Sequence, residues 1–173
     1  MPFAYYAKLS AARQRIYRKS DSIQSLGAPP GLALGARIAR IAEALRTEDR
    51  AATQSACQGL IDALMQGYHV PPVRVRVLTR RPADGYGELH GLYEPEEGSA
   101  RAVITVWMRT AQRKQVVAFK TFLRTLIHEV CHHLDYDLFA LEETFHTEGF
   151  YKRESSLVTA LLAQLATHEG GGS

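Results

Sequence analysis

Apolar residues recur along this chain in two rhythms, a helical one towards both ends and a strictly alternating one in the middle. Ala4 to Ser25 is rich in good helix formers and runs into Gly27-Ala28-Pro29-Pro30, which predicts a helix followed by a break. Leu34, Ile38, Ile41 and Leu45 then recur every three or four residues and form one apolar stripe. Thr47 followed by Glu48 and Asp49 predicts an N-cap with acidic residues in the first turn. The helix that follows buries Leu60, Ile61 and Leu64 and stops near Gly67.

After Pro71-Pro72 the period changes. Val73-Arg74-Val75-Arg76-Val77 alternates apolar and charged residues, as a half-buried strand does. Pro82 to Gly87 predicts a turn-rich loop, Glu88 to Glu94 a second strand and Ala102 to Met108 a third. Strands joined by short turns predict an antiparallel or mixed sheet in place of βαβ units. From Gln115 the helical period returns. Val116, Phe119, Leu123, Leu126, Ile127, Val130 and Leu134 make an apolar face over about five turns. A last helix, from about Phe150 to Ala166, turns Leu157, Leu161, Leu162 and Leu165 inward. The predicted class is therefore α+β: N-terminal helices, a small three-stranded sheet, a long helix and a C-terminal helix. Residues 1–67 are expected to pack as a helical unit on a core domain of residues 68–168, and 169–173 to form a flexible tail.

Composition narrows this only slightly. A chain of 173 residues is long enough for one ordinary domain with a real core. Its 46% hydrophobic and 23% charged residues are average for a globular protein and exclude a disordered or fibrous one. The net charge of +3 falls short of the excess that by itself argues nucleic acid. Lys8, Arg13, Arg15, Arg18 and Lys19 do crowd the N-terminus, as a solvated helix face or a site for an anionic partner such as nucleic acid. No stretch reaches the 18 or so apolar residues that span a bilayer, and no secretory signal is visible. Two cysteines, Cys57 and Cys131, read as core residues of a protein in a reducing cytoplasm.

The chemistry lies within the long helix, at His128-Glu129-Val130-Cys131-His132. Four residues on an α-helix turn through about 400°, so both imidazoles project from one face and can reach one metal ion. Glu129 points to one side of that pair, placed to touch a metal-activated water as general base. This is the HExxH zinc pattern.

A catalytic zinc needs a third protein ligand and an open position. Asp135, Glu142, Glu143 and His146 are available downstream. A metzincin would carry Gly at 135 and His at 138; Asp135 and Leu138 exclude that class. His146 is the best candidate, since fourteen residues let the active helix end and the chain return. Glu142 or Glu143 would instead make a His-His-Glu site. Asp135, seven residues past His128, shares its face and is a candidate to orient a ligand. His133 is one step off that face. Tyr93, Tyr136, Tyr151 and Arg153 are candidates to stabilise an oxyanion.

His128-Glu129-Val130-Cys131-His132 followed by Phe145-His146-Thr147-Glu148-Gly149-Phe150 resembles the SprT-like, or minimal gluzincin-type, metallopeptidase domain, which pairs HExxH with a later His-x-x-x-Phe. The runs Gly91-Leu92-Tyr93-Glu94 and Ala102 to Met108 are similar to the short sheet which that family places beside its active helix. The resemblance covers about residues 70–166 and leaves 1–67 outside it. It implies a zincin-like fold and a Zn2+-dependent peptidase acting on protein or peptide substrates. In that reading His128, His132 and His146 hold the metal, Glu129 is the base, and an edge strand aligns the substrate backbone. Two other classes stay open: a nucleic-acid-associated protein with a structural or regulatory zinc site, and a zinc hydrolase of non-peptide amides.

Overall fold

The computed structural model describes residues 2–80, 91–110 and 115–171. Over the first of these segments the chain forms a short 3-10 helix, Ala4–Lys8, and three α-helices: α1 (Ala11–Ser22), α2 (Gly35–Arg46) and α3 (Arg50–Tyr68). Three strands follow, β1 (Arg74–Arg80), β2 (Gly91–Glu94) and β3 (Val103–Arg109), and then two long helices, α4 (Phe119–Asp137) and α5 (Glu148–Gly170). The class is α+β, with a small mixed sheet. None of the described helices is long and apolar enough to cross a membrane.

Several boundaries differ from the sequence pattern for local reasons. The stretch Ala4 to Ser25 is broken at Ser10, which is extended and accepts a hydrogen bond from the Arg13 backbone N–H at 3.2 Å, so a new helix starts there. Asp49, not Thr47, caps α3, accepting from the Ala52 N–H at 3.0 Å. Thr47 instead closes α2, and Glu48 turns the corner with φ 57°. Val116 lies outside α4 and bridges to Arg109 beside β3. Thr147 caps α5 through the Phe150 N–H, so that helix begins two residues before Phe150 and runs on through Glu169 and Gly170. The Pro82 to Gly87 turn and residues 88–90 of the second predicted strand lie outside the described residues.

In the sheet β3 is central, parallel to β1 and antiparallel to β2, with Gly91 opposite Val106 and Glu94 opposite Val103. Its apolar residues Ile104, Val106 and Met108 are buried, as are Val75 and Val77 of β1. The outer edge of β1 is covered by α3. Gln58 donates to the Val73 carbonyl and accepts from the Val75 N–H, Gln54 accepts from the Val77 N–H, and Arg50 donates to the Val77 carbonyl. That leaves β2 as the sheet edge bordering α4. One contiguous core joins the α2 stripe (Ile38, Ile41, Leu45) to the sheet and to Leu157 and Leu161 of α5.

Candidate metal centre

α4 carries His128 and His132 one turn apart, and the irregular strap of residues 138–147 returns His146 to them. One nitrogen from each of the three rings lies within 4.8 Å of the others. Nε2 of His132 and Nε2 of His146 are 3.0 Å apart. Two imidazole nitrogens at about 2.05 Å on a tetrahedral ion stand about 3.3 Å apart, so this spacing suits a shared metal.

The opposite nitrogens are engaged. His128 Nδ1 donates to Glu154 Oε1 at 2.6 Å, and Glu154 Oε2 accepts from Arg124 at 3.2 Å. His132 Nδ1 lies 2.7 Å from Thr144 Oγ1, whose single proton goes to Asp135 Oδ2 at 2.8 Å. Thr144 must therefore accept from His132 Nδ1–H. Both rings are fixed as Nδ1–H tautomers, which leaves their Nε2 lone pairs free to face the cluster. Burial, with the neighbouring imidazoles, pushes His132 down to about 3, so that ring is neutral at ordinary pH; burial and His128 also lower His146, against Glu154. Phe150, fully buried, backs all three, with ring centroids 4.7 to 5.2 Å from theirs. Three imidazole nitrogens converging on one point over an apolar floor fit a divalent transition metal.

Glu129 is buried beside the cluster, and burial pushes its carboxyl up to about 7, with His128 opposing and Glu154 adding to the shift. Gly91 of β2 passes directly over it. A Cβ on Gly91 would sit 2.9 Å from Glu129 Cγ and 3.1 Å from Thr125 Cγ2. Together β2 and α4 border a cleft of about 630 Å³ whose lining includes His128, Glu129, His132 and His146.

No family model, curated protein or solved structure matches the chain. The likeness to SprT-like domains therefore stands on the motif residues.

His128, His132 and His146 gather in one place with Glu129 alongside. Glu142 and Glu143 are outside the cluster, Glu143 pairing with Arg13 at 3.2 Å. Asp135 reaches His132 through Thr144. Burial raises its pKa, against the guanidinium of Arg153 at 2.9 Å. That pair removes Arg153 from the oxyanion candidates, because its side chain is fully buried. Tyr93 lines the cleft, but its hydroxyl is 2.9 Å from Nδ1 of His133. His133 is buried and turned away from the cluster, its Nε2 donating to the Pro71 carbonyl at 3.0 Å. Tyr136 also lines the cleft, and Tyr151 stacks on His146 at 5.8 Å.

Glu154 and Thr144 went unrecognised in the sequence. For Glu154 a signal existed: it falls four residues after Phe150 and in line with Leu157 and Leu161, on the face that the helix buries, where a carboxylate needs a partner. Thr144 lies in irregular chain and carries no such signal.

Proposed function

We propose that this chain is a zinc-dependent, zincin-like metallopeptidase related to the SprT-like domains. The observation that carries this reading is the buried carboxylate of Glu129 between a three-imidazole cluster and an edge strand. A closed structural zinc site would be expected to show a fourth protein ligand. Here the described residues supply three, and the cluster opens on the cleft.

A zinc ion on the three imidazoles would polarise the scissile carbonyl and lower the pKa of a bound water towards about 7. The chain's own residues do the rest. Glu129 takes a proton from the attacking water on its carboxylate oxygen and returns it to the leaving amine as the C–N bond breaks. Glu154 and Thr144 hold the imidazoles in register throughout. β2 aligns an extended peptide by accepting it as a further strand, since α3 side chains already occupy the outer edge of β1. Gly91, without a side chain, lets that backbone run close to Glu129.

Zinc content and hydrolysis of an unstructured protein and a peptide library test this together. Wild type is expected to hold one zinc per chain and to cleave. Glu129→Gln should keep the metal and lose about 10²–10⁴-fold in rate. His146→Ala should lose most of the zinc, while Glu142→Ala and Glu143→Ala keep it. Equal cleavage by wild type and Glu129→Gln would refute the role of Glu129. Zinc-dependent turnover of small acyl amides with no peptide cleavage would move the protein to the non-peptide amide hydrolases.

A further inference from the structure

The bonds behind two of the three imidazoles, His146 and His132, lead back to the first 23 residues, which lie outside the HExxH motif and everything that resembles it. His128 and His132 are carried by a helix. His146 sits on irregular chain, whose orientation depends on what it is fastened to. Its first part is held by α4, through Leu141 N–H to the Asp135 carbonyl and Thr144 to Asp135, whereas around His146 the fastenings come from the N-terminus. Tyr5 donates its hydroxyl to the His146 carbonyl at 2.9 Å. Ser20 and Thr147 share a hydrogen bond of 3.0 Å, and Asp21 Oδ1 accepts from the Gly149 N–H at 2.9 Å. The rings of Tyr5 and Tyr17 pack on Phe145 with centroids 6.4 and 6.1 Å away. Gly149 lies so close to α1 that a Cβ there would be 2.6 Å from the carbonyl oxygens of both Ser20 and Asp21.

The chain of bonds behind His132 ends in the same place. From Thr144 it passes to Asp135 and then Arg153, whose guanidinium donates to the Ser20 and Ile23 carbonyls at 2.6 Å and to Ser20 Oγ at 3.1 Å. These are acceptors at the C-terminal end of α1, where the helix dipole favours a cation.

We propose that residues 2–23 are a working part of the metal centre, a clamp that positions His146 directly and His132 through Arg153, Asp135 and Thr144. This rests on the metal-centre reading above. Without the clamp the strap would lose conformational freedom on metal binding, and only the two imidazoles of α4 would be in place beforehand. Tyr5 and Asp21 are positioning residues here.

The test reads the metal, not turnover. Zn2+ affinity is measured by competition with a chromophoric chelator. The visible spectrum of the Co2+-loaded protein reports the ligand set, and far-UV circular dichroism verifies the fold. The double variant Tyr5→Phe/Asp21→Ala is expected to lose about tenfold or more in Zn2+ affinity and to change the Co2+ spectrum. Asp21→Asn, whose amide oxygen can accept from Gly149, should stay near wild type, as should Arg15→Ala on the exposed side of α1. Gly149→Ala pushes α1 away by sterics alone and should behave like the double variant. Affinities within twofold of wild type and an unchanged spectrum in the double variant, with the fold intact, would overturn the clamp alone. Wild type that binds neither Zn2+ nor Co2+ would overturn the metal centre and the clamp with it.

Discussion

Thr144 has one proton, and where it goes decides which nitrogen of His132 is bare. Asp135, held by Arg153, takes that proton at 2.8 Å, so Thr144 faces His132 only as an acceptor. Thr144→Val keeps the shape and removes both functions, leaving His132 Nδ1–H without its partner. Zn2+ affinity is expected to fall about 10–100-fold, with Thr144→Ser restoring most of it; chelator competition measures both. Unchanged affinity in Thr144→Val would mean that the hydroxyl does not set the tautomer. Such residues were the least legible in the sequence. His128, Glu129 and His132 announce themselves because one helical turn fixes their relation. The roles of Glu154 and Arg153 arise only once α5 packs on α4, and that of Thr144 only once the strap folds back.

Among the elements, β2 is short and the outer edge of β1 is covered, and the difference bears on how the proposed peptide substrate would be held. Gln54, Gln58 and Arg50 bond the outward-facing carbonyls of Val73 and Val77 and the N–H groups of Val75 and Val77, the groups an added strand would need there. Pairing on β2 would engage alternate backbone groups of the peptide. N-methylation stepped along a good substrate should therefore lower kcat/KM with a period of two, by about 2–10-fold at each sensitive position, one hydrogen bond at a time. A smooth or single-position profile would rule out strand addition. The apolar run Ala102 to Met108 placed β3 to within one residue at each end, while the alternating stretch Val73 to Val77 stopped three residues short of the end of β1. Their order was hidden, because the placement of β3 between β1 and β2 depends on pairing across distant chain. Helix starts were misread where side-chain caps compete: Ser10 interrupts a run of good helix formers, and Asp49 takes the capping position from Thr47.

At the scale of the molecule, the N-terminal helices and the pair α4 and α5 share one core, α2 packing on α5 and α3 on β1. Cys57 lies in the first group and Cys131, between the two histidines of α4, in the second; both are free and buried. Burial pushes the Cys57 thiol up to about 12 and that of Cys131 well above its ordinary value, so neither presents a thiolate while the protein is folded. The chain thus carries two internal clocks for its own opening, one in each half. A disulfide reagent in excess, on metal-free protein, reacts with each thiol only as fast as the surrounding structure opens. If the halves open as one unit, both cysteines are labelled at the same slow rate, resolved by mass spectrometry of the digested protein. Labelling of Cys57 a hundredfold faster than Cys131 would show that the N-terminal helices come away while the histidine-bearing helix stays shut.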